Sequence, residues 1–167
     1  LTMMWKDQPR PDVIVISMSG YGASGPESEY VSYGPAQVPL SGLSSVTGYR
    51  GWRPMHIGIS YGDPTAGLQG AVAVLSALIH RRRTGEGQFI DLSQWESTMA
   101  LLPEALLAQS MTGAAPERDG NRDTMWAPHA IYRCAGEDRW VSIAAADEDE
   151  WRRLASVVDP ALASDPR

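Results

Sequence analysis

Two side chains three positions apart, Ser60 and Asp63, stand where a β-like run over 55–60 meets a long apolar stretch. Gly58-Ile59-Ser60-Tyr61-Gly62 fits the pattern G-x-S-x-G, which lifts a serine nucleophile on a tight strand-to-helix turn. Ser60 would then act as the nucleophile of a serine hydrolase. An acid (Asp91 or Asp123) and then His129 follow in the order such a site needs, although this chain has enough acids for that order to arise by chance. Asp63 offers a second chemistry. It directly precedes Pro64, and Pro is favoured at the first helical position because its missing N–H would be unpaired there. Asp63 therefore reads as an N-cap, its carboxylate facing the free N–H groups of the first turn. The positive end of the helix dipole favours the charged form there. Capping is the plain structural job of such a residue.

The elements that position these groups follow from patterning. Residues 66–79 are small and apolar, the composition of a helix packed on nearly every side. His80-Arg81-Arg82-Arg83 suits the negative end of that helix, and Gly85 stops it. The arginines also invite a phosphate-binding reading, but pairing with the dipole is their simpler purpose. Upstream, 12–17 is a β-branched run of the kind buried in parallel sheets. Gly20-Tyr21-Gly22-Ala23-Ser24-Gly25 then matches G-x-G-x-x-G. A dinucleotide site would need a helix to open there and an acid about 20 residues on. Pro26 and a Ser-rich stretch follow instead, so the glycines read as a sharp loop at the carboxyl end of a strand. A short Pro-interrupted helix is expected over 33–46, and a turn bearing Tyr49 and Trp52 after it. Residues 88–92 read as a strand. Ser93 caps a helix reaching about residue 112, kinked at Pro103. Runs at 130–134 and 140–144 form a hairpin signal, with Cys134 expected to be buried. Asp147-Glu148-Asp149-Glu150 opens an amphipathic helix with Trp151, Leu154 and Val158 on one face.

The wider stretch carries a resemblance. Asp63-Pro64-Thr65-Ala66-Gly67, the Ala/Leu-rich helix, and Ala77-Leu78-Ile79-His80-Arg81-Arg82-Arg83-Thr84-Gly85-Glu86-Gly87-Gln88-Phe89-Ile90-Asp91-Leu92-Ser93 resemble the family III CoA-transferases, which include the α-methylacyl-CoA racemases. Ser19-Gly20-Tyr21-Gly22-Ala23-Ser24-Gly25-Pro26, Leu40-Ser41-Gly42-Leu43, Val46-Thr47-Gly48, Gly120-Asn121-Arg122 and Trp151-Arg152-Arg153-Leu154 fit the same family in collinear order.

The resemblance implies an α/β fold: a partial Rossmann-like segment of a large domain with parallel strands and helices, then the start of a smaller α+β domain. The divisions expected are 1–112 for the large-domain part, 113–128 for a linker and 129–167 for the small domain. It also implies that Asp63 is the catalytic nucleophile, attacking an acyl-CoA thioester, with Tyr33 and Gly62 binding substrate. Coenzyme A enters as an acyl-CoA co-substrate, and a small carboxylic acid is the other partner. In the racemase branch a His stands where this chain has Tyr33. A phenol ionises only near pH ~10 and is a poor proton abstractor at neutrality, so transfer is favoured over racemisation. Family members are longer and form interlocked homodimers. This chain, which starts at Leu1, reads as a central fragment that self-associates, and a non-catalytic oligomerising remnant stands as an alternative.

Composition bounds the rest. The 167 residues carry a net charge of −6, which argues against nucleic acid as a partner. The single cysteine excludes an internal disulfide and fits a reducing cytoplasm. The longest apolar run, 71–79, is too short to span a membrane. No metal is expected, because no His/Cys spacing suits one.

Overall fold

A computed structural model describes residues 10–159 and 161–162. They form two compact units, one of residues 10–48 and 53–118, the other of 49–52 and 119 onward.

The first unit is built on a parallel strand pair. β1 (Ile14–Ser19) lies beside β2 (Gln88–Ser93), with Ile14 opposite Gln88 and Ser19 opposite Ser93. Parallel neighbours need a long crossover, and three helices lie within it: α1 (Gly34–Leu40), α2 (Leu43–Val46) and α3 (Gly62–Thr84). The helix expected over 33–46 is thus two pieces. Pro39 lies inside α1, and Gly42, at φ 90°, turns the chain before α2. After β2 come α4 (Gln94–Met99) and α5 (Pro103–Thr112). Pro103 breaks the expected single helix rather than kinking it: it opens α5, where its missing N–H and its ring fit the first turn. Ser93 caps α4 as its sequence position predicts, accepting the Glu96 N–H at 3.2 Å. This unit is a mixed α/β assembly with a parallel strand pair, in line with the α/β reading.

The long helix α3 differs from expectation on one face. Its small residues Ala66, Gly70 and Ala77 are buried, and the Gly70 backbone lies against Ile16, Met18 and Leu92 of the strands. Its large ones do not follow them inward. Leu68, Val72, Leu75 and Ile79, spaced four, three and four residues apart, are between 54% and 72% exposed. Small side chains let helix and sheet approach closely, and the same 3.6-residue period puts the large ones on the opposite side. Gly85 ends the helix in the left-handed conformation at φ 82°, its N–H donating to Arg81 O at 2.8 Å.

In the second unit, β3 (His129–Arg133) and β4 (Trp140–Ala144) make the expected antiparallel hairpin, with Arg133 opposite Trp140. Cys134 falls just beyond β3 and is exposed, not buried, because the hairpin presents its end to solvent. α6 (Glu148–Val158) is capped by Asp147, whose Oδ1 accepts the Glu150 N–H at 2.8 Å. Trp151 and Leu154 are half-buried, but Val158 in the last turn is exposed.

Candidate active site

The expected strand over 55–60 is absent. The segment before α3 is irregular, with Gly58 at φ 83°, and the helix starts one residue earlier than Asp63. Tyr61 is the N-cap and makes no side-chain cap hydrogen bond; Asp63 is the second helical residue, and among the described residues its carboxylate accepts from a side-chain amide rather than from a backbone N–H. The physical reason lies in the turn. The Asp63 N–H donates to Ser60 O at 3.1 Å and the Thr65 N–H to Tyr61 O at 3.2 Å, so helical bonding begins upstream of Asp63. The aspartate is therefore not used as a cap. It remains an exposed carboxylate in the first turn, where the helix dipole favours negative charge.

A side chain from one other helix reaches this carboxylate, backed by a side chain from a second. Gln94, the first residue of α4, donates from Nε2 to Asp63 Oδ1 at 3.3 Å. Gln37, in α1 and fully buried, donates from Nε2 to Gln94 Oε1 at 2.6 Å. A chain of amides thus runs from the core to the carboxylate. Two glycines make room for it. A Cβ on Gly34 would meet Asp63 Oδ2 and come within 2.6 Å of Ser60 Cβ, and a Cβ on Gly62 would meet Gln37 Oε1. The loop after β1 fixes α4 in turn. Gly20 O accepts the Trp95 N–H at 3.0 Å, and Tyr21 stacks edge-on against Trp95 with centroids 5.7 Å apart. Gln69 of α3 donates to Ser97 O at 3.2 Å, tying α3 to α4 directly.

The residues singled out in the sequence fall as follows. Gly62 is buried beside Gln37, next to Asp63 in the chain. Tyr33 is the N-cap of α1 and 76% exposed, immediately before the Gly34 that abuts the carboxylate. Ser60 lies in the irregular segment rather than on a strand-to-helix turn. Asp91, a possible acid partner for it, is occupied elsewhere: its Oδ1 accepts the Ala23 N–H at 2.7 Å and its Oδ2 the Ser24 hydroxyl at 3.2 Å. Those bonds pin the glycine loop, which has no helix at its glycines. Arg81, at the far end of α3, donates to Asp12 O at 3.3 Å. Trp52 stacks on Tyr49 with centroids 5.6 Å apart, in the second unit, where a cleft of about 600 Å³ is lined by Tyr49, Trp52, Asn121, Arg122, Ile131 and Trp140. Among the described residues no group of three His, Cys, Asp or Glu is arranged to hold a metal ion, and no helix is long and apolar enough to cross a membrane. Gln37 and Gln94 are the site residues that sequence reasoning missed. They lie 57 positions apart, and no local pattern links them.

Comparison with known proteins gives this geometry a context. The model of CoA-transferase family III matches residues 5–167. The succinyl-CoA–D-citramalate CoA-transferase of Chloroflexus aurantiacus is 35% identical over 158 residues, covering 94% of this chain and 39% of the relative. The acetyl-CoA:oxalate CoA-transferase of Acetobacter aceti is also 35% identical, over 94% of this chain and 40% of its own. The crystal structure of a CAIB/BAIF family protein from Brucella suis superposes with a TM-score of 0.83 at 30% identity, covering 94% of this chain and 41% of that one. The chain spans about two-fifths of the length of these relatives. It belongs to CoA-transferase family III.

Proposed function

We propose that the protein containing this chain transfers CoA between an acyl-CoA and a carboxylic acid, with Asp63 as the nucleophile. The observation that carries this reading is the state of Asp63: a carboxylate in the first turn of a long helix, not used as a cap, exposed, and held by a side-chain amide. The named activities of the relatives, which move CoA between succinyl-CoA or acetyl-CoA and small carboxylic acids, support the reaction class.

The chemistry is covalent catalysis, which divides one difficult exchange into easier ones. A carboxylate oxygen of Asp63 forms a bond to the thioester carbon, the C–S bond breaks, and CoA leaves as thiolate. The thiolate then attacks Cγ of the acylated aspartate and releases the donor acid as a carboxylate, leaving an aspartyl-CoA thioester. The acceptor carboxylate attacks that thioester to form a second anhydride, and the returning thiolate takes up the acceptor acyl group. Each step exchanges one anion for another, so no proton-transfer group is required. That suits a site where Tyr33, and no histidine, precedes Gly34. The helix N-terminus supplies backbone donors near the developing charge.

In the same reading, Tyr33 and Gly62 border the acyl site. The first unit is the central part of a large domain and the second the start of a small one. The whole protein acts as a cytoplasmic homodimer. The outward apolar stripe of α3 supports assembly with a second copy, and the exposed Cys134 thiol suits a reducing compartment. Replacing Asp63 by Ala in the full gene product tests the reading. Transfer between succinyl-CoA or acetyl-CoA and small carboxylic acids is expected to vanish with the fold intact, whereas retained transfer would remove it. Sedimentation of the same protein tests the dimer, and a monomer would contradict it.

A further inference from the structure

The amide chain that ends on Asp63 has a direction, and the direction has a cost. A charged carboxylate only accepts hydrogen bonds. Asp63 Oδ1 therefore requires the NH₂ end of Gln94, at 3.3 Å. That turns Gln94 Oε1 toward α1, where it requires the NH₂ end of Gln37, at 2.6 Å. Gln37 Oε1 is then left facing Gly62, fully buried and without a donor. An unsatisfied buried acceptor is unfavourable. Reversing both amides would leave Gln94 Oε1 against the carboxylate, so the charge on Asp63 fixes the polarity and the penalty falls in the core.

We infer that Gln94 is the oxyanion donor for attack on Cγ of acylated Asp63, and that Gln37 is the positioning residue that holds its amide in the donating orientation. This rests on the reading of Asp63 as the nucleophile. Gln94 engages Oδ1, so Oδ2, accommodated against Gly34, is the oxygen that takes the acyl group. In the following step the CoA thiolate attacks Cγ. The S–Cγ bond forms, and the π pair of the Cγ–Oδ1 bond moves onto Oδ1. When that pair returns, the Cγ–Oδ2 bond breaks and the donor acid leaves as a carboxylate carrying Oδ2. One negative charge enters with the thiolate and one leaves with the acid. Between those events the charge sits on Oδ1, the atom that faces Gln94 Nε2. A fixed donor aimed at developing charge accelerates the step that develops it. The first step places its charge on the acyl oxygen instead, which Gln94 does not face. Gln94 therefore governs how acylated Asp63 partitions, not how it is acylated.

The test is intact and peptide mass spectrometry of the full gene product, quenched during turnover of succinyl-CoA and, separately, acetyl-CoA. It distinguishes an acyl adduct on Asp63 from a CoA thioester adduct on the same residue. Gln94→Leu should lower kcat by about 10²-fold, the effect of removing one oxyanion donor. The CoA adduct should vanish, and the acyl adduct should accumulate. Gln94→Glu keeps the size of the side chain and sets a carboxylate against Oδ1. It should show the same shift, and it serves if the leucine variant fails to fold. An unchanged kcat and an unchanged ratio of the two adducts in the folded variant would overturn the proposal. A kcat loss with both adducts reduced in proportion would also overturn it, by showing a general structural role. If the wild-type protein carries no Asp63 adduct, or Asp63→Ala still forms the adducts, the nucleophile reading itself fails and this proposal falls with it.

Discussion

Ser93 and Asp147 each cap the helix they precede, whereas Asp63, in the first turn of α3, does not cap its own. Ser93 accepts the Glu96 N–H at the start of α4, and Asp147 accepts the Glu150 N–H at the start of α6. At the start of α3 helical bonding is already under way upstream, and the Asp63 carboxylate accepts from a side-chain amide. Asp147 satisfies a backbone donor that would otherwise be unpaired. Asp63 is held by Gln94, which Gln37 holds in turn, and the missing Cβ of Gly34 leaves it room. One residue type in nearly the same local position thus caps a helix in one unit and, in the other, is free for the chemistry proposed above.

Exchanging the two aspartates for alanine should separate these roles most sharply. Asp63→Ala should reduce transfer by about four orders of magnitude or more, as loss of a covalent nucleophile does. It should change stability by no more than about 0.5 kcal/mol, as for surface sites in general. Asp147→Ala should do the reverse, costing about 1 kcal/mol of stability with kcat unchanged. Thermal melts and turnover assays on the pair read both quantities. An activity loss in the Asp147 variant would erase the contrast.

Next in size is Gly34→Ala. Its Cβ would meet Asp63 Oδ2 and crowd Ser60, so a loss of about 1–3 kcal/mol is expected, together with impaired turnover. The strain should be relieved in part when Asp63 is also Ala, giving a measurable coupling in a double-mutant cycle. Additive effects would show that the two residues do not meet.

A smaller effect is expected at Gln37. Gln37→Leu removes one hydrogen bond from the chain of amides, worth about 1 kcal/mol, or several-fold in kcat. It also removes the buried, unpaired Oε1, so its melting temperature should hold or rise. Reduced stability with normal kcat would assign Gln37 to the core alone.

The smallest prediction concerns a carboxylate with a purely local role in the second unit. Asp123 accepts the Met125 and Trp126 N–H groups at 2.8 and 3.0 Å, and these backbone hydrogen bonds lower its pKa below the usual 3.8. A lowered folded-state pKa means stability that is present above 3.8 and lost as pH falls through the folded value. The turn at 123–126 should therefore loosen only in strong acid, as amide exchange at Met125 and Trp126 would show. Loosening near neutrality would contradict the assignment.

Much of this organisation is legible in the sequence because its signals are local. The β-branched run before the glycine loop, the Ser93 cap, the Gly85 stop and the hairpin at 129–144 each depend on neighbours within a few residues. The break at Pro103 and the missing strand before α3 were less legible. Each was decided by which backbone hydrogen bonds the surrounding chain could complete. The exposed stripe of α3 shows another limit. Its uniformly apolar composition hides that small and large residues occupy opposite faces. At the candidate site, the sequence singles out Asp63 through Pro64 and the family resemblance. It does not single out Gln37 and Gln94, because an ordinary Gln in a helix carries no periodic or spacing signal. Their role arises from a meeting of α1, α3 and α4 that only the fold creates.

The central claim is that Asp63 carries the transferred group. The most direct measurement is peptide-level mass spectrometry of the full gene product after quenching with acyl-CoA, with hydroxylamine trapping and the Asp63→Ala protein alongside. The account predicts a trapped modification on Asp63 that is absent from the alanine variant. Turnover without any modification at Asp63, or the same modification in the alanine variant, would contradict it.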